Sequence, residues 1–307
     1  MSARQMQSLR TSSSTMAVGA PALALAPAAA PGGRRRIVRR VLRKPMMIGG
    51  VVVVMSWVLL AALAPAIAPY DPIDQDVRHR LQAPSPAHWL GVDELGRDVF
   101  SRVLYGGRVS LPVAAAVVAV ATIFGTVLGG VAGFTGGWFD NLAMRLVDVV
   151  LAFPSLILAM AIAAALGPSI QNAMLAMLLV WWPPYARLAR GQVLTLKSRE
   201  YVIAARGLGL PEHRILLRHV LPNAFAPLLV MMTMDFGTAI IITAALSFLG
   251  LGAVPPTPEW GAMVAEGREL IQQWWISTFP GIAIFMVAIA TNFIGDGLRD
   301  IVDPHLR

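Results

Sequence analysis

Few residues in this chain could carry chemistry, and they are scattered. The five histidines are His79, His88, His213, His219 and His305, and there is no cysteine to supply a nucleophile, a thiolate ligand or a disulfide. His88 with Asp93, Glu94 and Asp98 comes nearest to a metal-ligand group. One imidazole among loop carboxylates is more often surface hydrogen bonding than ligation. No H-E-x-x-H pattern occurs and no serine–histidine combination falls inside an apolar run, so hydrolytic chemistry lacks its groups. The only lysines, Lys44 and Lys197, follow no G-x-x-x-x-G run, so the chain has no phosphate loop of its own for ATP. Two features remain: a carboxylate deep within an apolar run, Asp235, and a block of charge between two such runs, Glu200 to Asn223.

Asp235 lies twelve residues into its run, about 18 Å along a helix and near the middle of a bilayer. A lone intramembrane carboxylate is a functional candidate by default. Two readings stay open. With Thr238 it lines a path across the membrane, where it could attract a positively charged group, or it is neutral or bonded to Thr233 or Thr238 on its own helix.

The charged block reads EYVIAARGLGLPEHRILLRHVLPN. Glu200, Arg206, Glu212, His213, Arg214, Arg218 and His219 keep it out of lipid, since each charge at a bilayer centre costs roughly 2.5–3.5 kcal/mol on insertion scales. Tyr201, Ala204, Ala205 and Leu208 fall at i, i+3, i+4 and i+7, which predicts a short helix with one apolar stripe. Gly209 suits a left-handed cap, Pro211 the first turn of a second helix and Glu212 its positive end. Arg214 and Arg218 then share a face, and Pro222 is expected to end the helix. Two short helices with a stiff elbow suit a partner's groove, and the bland alternative is an amphipathic connector resting on the membrane.

These features must be positioned by membrane helices. The 307 residues are 56% hydrophobic and 14% charged, outside the soluble globular range. The expected fold is all-α and polytopic, with six spans at approximately 46–68, 109–133, 141–165, 169–188, 224–248 and 279–297. Both termini inside the cell places nineteen Lys and Arg within and six outside, so the positive-inside rule puts N- and C-terminus in the cytosol. The same distribution accounts for the net charge of +8 without invoking nucleic acid. Residues 1–45 read as a disordered cytosolic tail ending in a basic block, Arg34, Arg35, Arg36, Arg39, Arg40, Arg43 and Lys44. A cleaved signal peptide is the alternative, although Pro21 and Pro27 interrupt any apolar core.

Within the spans, Gly125, Gly129 and Gly133 recur every four residues and predict a close helix contact, either in this chain or with a second subunit. Arg145 and Asp148 are placed to pair, and Pro154 to kink the third span. Outside, residues 70–107 form a long hydrophilic loop in which Asp93 and Asp98 lie near Arg97 and Arg102. Residues 250–277 form a second outer segment, with Trp260 to Trp275 lying along the membrane face.

At three separate stretches the chain resembles the ABC-importer permeases, in particular the C-type subunit of dipeptide, oligopeptide and nickel importers. In the loop at 191–223, Ala204, Ala205, Gly209, Leu221 and Pro222 match the family's EAA pattern. Ile203 stands where that pattern has Glu and His219 where it has Ile, while Glu200 sits one turn earlier. HWLGVDELGRDVFSRVLYGGRVSL and SFLGLGAVPPTPEWGAMVAEGRELIQQWW are the other two stretches. The resemblance covers residues 46–307 and implies a type I permease that is not itself an enzyme and binds no cofactor. It implies a second, non-identical permease subunit, two cytosolic ATPases that bind ATP and Mg, and an external substrate-binding protein. By the same resemblance Glu200, Tyr201, Ala204, Ala205, Arg206, Gly209, Pro211, Arg214, Arg218, Leu221 and Pro222 contact the ATPase, and Asp93, Glu94, Arg97 and Asp98 the binding protein. Peptides are the expected substrate, with nickel or another small solute the alternative. A secondary transporter is the rival class, but one carboxylate and no visible repeat give it little to work with.

Overall fold

The computed structural model describes residues 44–302, so of the N-terminal tail and its basic block only Lys44 and Pro45 are described. Helices and their connections make up these residues, and the one β-type pairing among them is an isolated bridge between Val92 and Asp98. The helices are α1 (Pro45–Ala62), α2 (Ala64–Ile67), α3 (Val99–Thr135), α4 (Gly137–Leu151), α5 (Ser155–Leu166), α6 (Ile170–Trp181) and α7 (Pro183–Leu196). There follow α8 (Glu200–Gly207), α9 (Glu212–Ile215), a π turn (Leu216–Val220), α10 (Leu221–Phe248), α11 (Trp260–Glu266) and α12 (Trp275–Val302). Four of these stretches are long and apolar enough to cross a membrane, or five if the bent pair α4 and α5 counts as one.

The longest helix revises the expected outer loop. α3 has 37 residues, about 55 Å at 1.5 Å per residue against a hydrocarbon layer of roughly 30 Å, so it runs well beyond lipid. Its start is fixed by Asp98, whose carboxylate accepts from the Ser101 amide at 2.8 Å. Residues 99–107, expected as the end of the long hydrophilic loop, are therefore its first turns.

The third expected span is bent by 85° between α4 and α5, a break more than a kink. Pro154 has no N–H and takes an extended conformation (ψ 123°) that ends the helical path. The expected Arg145–Asp148 pair is not made. Asp148 instead accepts from Arg187 of α7 at 2.6 Å. The fourth expected span, 169–188, is divided between α6 and α7, because Pro183 and Pro184 cannot donate to the preceding turn. The Leu179 carbonyl takes the Trp182 indole N–H instead, at 3.0 Å.

The glycine series answers its own question about a partner. α3 and α7 make the most extensive helix pairing among the described residues, and a Cβ on Gly125, Gly129 or Gly133 would press on the backbone at Trp182, Ala186 or Arg190 respectively. In lipid, where tails are as apolar as side chains, such close backbone approach is what holds helices together. An outer core gathers around Trp260, which is wholly buried, donates to the Val103 carbonyl at 2.9 Å and meets Trp57 edge-on at 5.2 Å. A second core joins α3, α7 and α10 around Tyr185, Ala186 and Leu228. A third, of Val193, Val202, Ala205, Ile215 and Val220, seats the charged block against the bundle.

Candidate functional site

The charged block folds as two helices with an elbow. Gly209 is left-handed (φ +76°) and closes α8 as a Schellman turn: its own N–H reaches Arg206 at 2.9 Å and that of Leu210 reaches Ala205 at 3.2 Å. Leu210 then packs beside Ala205 in the inner core. Across the turn Arg206 grips Glu212 with two parallel bonds of 2.7 and 3.1 Å. That grip holds the Glu212 carboxyl below the usual range and raises the Arg206 guanidinium. Arg206 also lies over the Phe134 ring at 5.9 Å, tying the elbow to the end of α3.

The expected apolar stripe is turned the other way. Val202 and Ala205 face the bundle, whereas Tyr201, Ala204 and Leu208 face out, Leu208 being 81% exposed. Tyr201, Ile203, Leu208 and Leu217 are thus apolar groups left on a charged surface beside exposed Glu200, Arg206, Arg214 and Arg218. Of the four expected stripe positions only Ala205 is buried, beside Val202, so the periodicity did not mark the covered face.

Pro211 caps α9 as expected, but Pro222 does not stop the helix. The chain continues from Glu212 to Phe248 as one 37-residue run. The π turn lets it continue by widening the ladder where the proline ring would otherwise strike the preceding turn. Its spare carbonyl, on His219, accepts from Asn223 at 2.7 Å. The elbow is therefore continuous with α10. Leu221 fills the space beside Gly130 of α3. Two polar links brace the same end: Arg190 holds Asp140 at 2.5 and 2.7 Å, and Lys197 caps the Gly133 carbonyl at 3.0 Å.

At the other end, the outer loop and the second outer segment form one cap. Asp93 accepts from Arg97 Nε at 2.6 Å and Arg102 Nη1 at 2.5 Å. Glu266 of α11 accepts from the same two arginines at 2.5 to 3.1 Å. Two guanidinium groups and two carboxylates balance in a site from which water is largely excluded, an arrangement that fixes geometry more than it adds stability. Nearby, the buried Glu259 caps α11 at Ala262 and accepts from Ser110 of α3. This corrects the expected binding-protein contacts. Asp93, Arg97 and Asp98 are 0–3% exposed and face inward, leaving Glu94 alone of the four on the surface. His88 bonds Asp98 at 2.9 Å and stacks on Tyr70, and no three acidic or histidine groups are placed to hold a metal ion among the described residues.

Asp235 is half-buried on α10, facing Tyr185 of α7 and Trp181 of α6. Neither threonine on its own helix is its partner. Thr233 bonds the Leu229 and Val230 carbonyls and Thr238 that of Met234.

These features define a multi-pass membrane protein with a salt-bridged cap at one end of the bundle and an exposed, jointed loop at the other, joined directly to a spanning helix. Residues 125–307 match the family of binding-protein-dependent transport system inner membrane components, and residues 34–84 match the N-terminal TM domain of oligopeptide transport permease C. The chain is 44% identical to the dipeptide transport system permease protein of Alkalihalophilus pseudofirmus, over 89% of this chain and 90% of that one. It is 46% identical to the probable D,D-dipeptide transport system permease protein of Escherichia coli K12, over 85% of this chain and 88% of that one. It is 44% identical to a glutathione transport system permease protein of Escherichia coli, over 88% of this chain and 89% of that one. The chain belongs to the binding-protein-dependent transport system inner membrane component family: it is an ABC-importer permease of the inner membrane, and not an enzyme.

Proposed function

We propose that this permease forms half of a translocation pathway for dipeptides or oligopeptides, paired with a similar but non-identical permease chain. Three relatives named for dipeptides or glutathione support the substrate class. Six spans with both termini in the cytosol, and residues 1–45 as a cytosolic tail, follow from the distribution of basic residues. Two cytosolic ATPases, which bind ATP and Mg, dock on the loop at 191–223. Its contact groups are Glu200, Tyr201, Ala204, Arg206, Arg214 and Arg218, with Ala205, Gly209, Pro211, Leu221 and Pro222 shaping it. An external binding protein delivers peptide to the cap, where Glu94 is available to it. Asp235 and Thr238 line the pathway. Closure of the ATPases pushes the elbow, the push travels along the unbroken run from Glu212 to Phe248, and the spans re-pack to open the opposite side.

The observation that carries this reading is the exposed apolar set around Leu208, held on a rigid elbow within the segment that bears the coupling pattern. Because the chain has no cysteine, Leu208→Cys introduces a single thiol. Its expected behaviour is oxidative cross-linking to a cysteine placed in the ATPase groove, changing in yield with ATP. Labelling of that thiol by an impermeant reagent from outside intact cells would end the proposal.

A further inference from the structure

The meeting point of α3, α6, α7 and α10 contains more polar atoms than an apolar bundle needs. Tyr185 is fully buried and its hydroxyl has no hydrogen-bond partner of good geometry, and the same is true of the hydroxyls of Thr122 and Thr126. The Tyr185 phenol has Thr122 and the Asp235 carboxylate as neighbours, and the Trp181 indole is a second neighbour of that carboxylate. The nearest basic residues on α7 are already taken, Arg187 by Asp148 and Arg190 by Asp140. Asp235 therefore has neutral donors behind it, no cationic partner among the described residues, and a half-exposed edge beside exposed Thr238.

A buried carboxylate is costly unless something of opposite charge meets it, and unsatisfied hydroxyls around it add to that cost. Such an arrangement is held ready for a visiting cation. One carboxylate with neutral phenol and threonine oxygens is too few a set for a resident divalent metal, which takes six or more oxygens or a histidine–carboxylate group. It fits a primary ammonium, whose three N–H donors need one charged and two neutral acceptors and whose charge is favoured by an aromatic face.

We propose that Asp235 receives the α-ammonium group of the peptide midway across the membrane, with the neighbouring Tyr185 as a positioning residue. The inference rests on the peptide reading above and assigns the group of the substrate that this chain recognises. It gives the permease a selectivity of its own, separate from that of the binding protein.

The test uses the whole transporter in proteoliposomes, with binding protein pre-loaded to saturation with a free-amino dipeptide or its N-acetyl analogue. Discrimination in ATP-driven uptake then belongs to the membrane path. The wild type should favour the free-amino peptide by about tenfold or more, the worth of one hydrogen bond to a charged group. Asp235→Asn should bring the ratio near one by slowing only the free-amino peptide, Asp235→Glu should keep most of it, and Tyr185→Phe should fall between. A second measurement needs no variant. An apolar carbodiimide should modify Asp235 in the wild type, and turnover of free-amino peptide, but not of its N-acetyl analogue, should protect it. An unchanged ratio in Asp235→Asn, or equal protection by both peptides, overturns the inference while leaving the peptide permease intact. No ATP-driven uptake of either peptide by the wild type overturns both.

Discussion

Replacing Gly129 by alanine tests the helix pairing on which the inner half of the bundle depends. The new Cβ would stand 2.6 Å from the Ala186 carbonyl carbon and 2.7 Å from its Cα, with the carbonyl oxygen closer still. Ordinary contact begins near 3.4 Å, and the oxygen falls short of that by more than an ångström, so α3 and α7 must separate by that order, and backbone cannot turn aside as a side chain can. Overpacking of this kind costs about 1–3 kcal/mol, and a clash with backbone belongs at the upper end. The control is Gly191→Ala on α7, where the added methyl meets nothing within 4 Å. Relief of glycine's chain entropy there should stabilise by about 0.5–1 kcal/mol. The two variants, one methyl each and on the same helix pair, should therefore differ by roughly 2–4 kcal/mol in opposite directions. Equilibrium unfolding of the purified complex in mixed micelles measures the difference. Equal effects, or a stabilising Gly129→Ala, would refute the close α3–α7 contact.

Three further outcomes follow from the cap and the elbow. Asp93→Asn, which leaves two guanidinium groups with one carboxylate, should destabilise the cap by about 3–5 kcal/mol, and Glu266→Gln should cost less because that side chain is 15% exposed. The reverse order in thermal unfolding would contradict the charge balance. Gly209→Ala should destabilise the elbow by about 1 kcal/mol through backbone conformation alone, since space around it is open, and the complex should still assemble; no loss of protection at Leu210 in amide exchange would argue against the Schellman turn. The Arg206–Glu212 grip lowers the folded-state pKa of Glu212, so its contribution is complete above the unfolded value of about 4.3 and is lost as pH falls through the lower folded value. Exchange protection at Leu210, corrected for intrinsic rate, should stay level from about pH 8 to about pH 5 and fall only in stronger acid; a change near neutrality would point to another group.

Sequence carried some parts of this molecule further than others, for reasons visible in particular residues. Gly125, Gly129 and Gly133 announced a tight helix contact because small residues at that spacing have one principal use in lipid. Their partner could not be read, since Trp182, Ala186 and Arg190 carry no mark of the pairing. The elbow at Gly209 was legible because its signals are local: a glycine, a proline two residues on and a change of helical phase. The covering of α8 was not, because Val202 and Tyr201 are both apolar and only the bundle decides which is buried. Arg102 misled most. Its charge argued for a loop, yet it lies inside α3, neutralised by Asp93 nine residues before it and by Glu266, 164 residues after it. The same pairing drew Asp93 and Arg97 away from the surface, whereas Asp98 is held by its local bonds to His88 and Ser101, which also mark the start of α3.

Uptake into proteoliposomes that hold the full complex, with internal or external ATP controlled and ion gradients collapsed, addresses most directly the account in which separate ATPases drive this bundle through the Gly209 elbow. Transport should require ATP on the side bearing the 191–223 loop, should ignore the collapsed gradients, and should disappear in Gly209→Pro, whose ring cannot adopt the positive φ of that position. Transport that persists without ATP, or that survives Gly209→Pro at the wild-type rate, would contradict it.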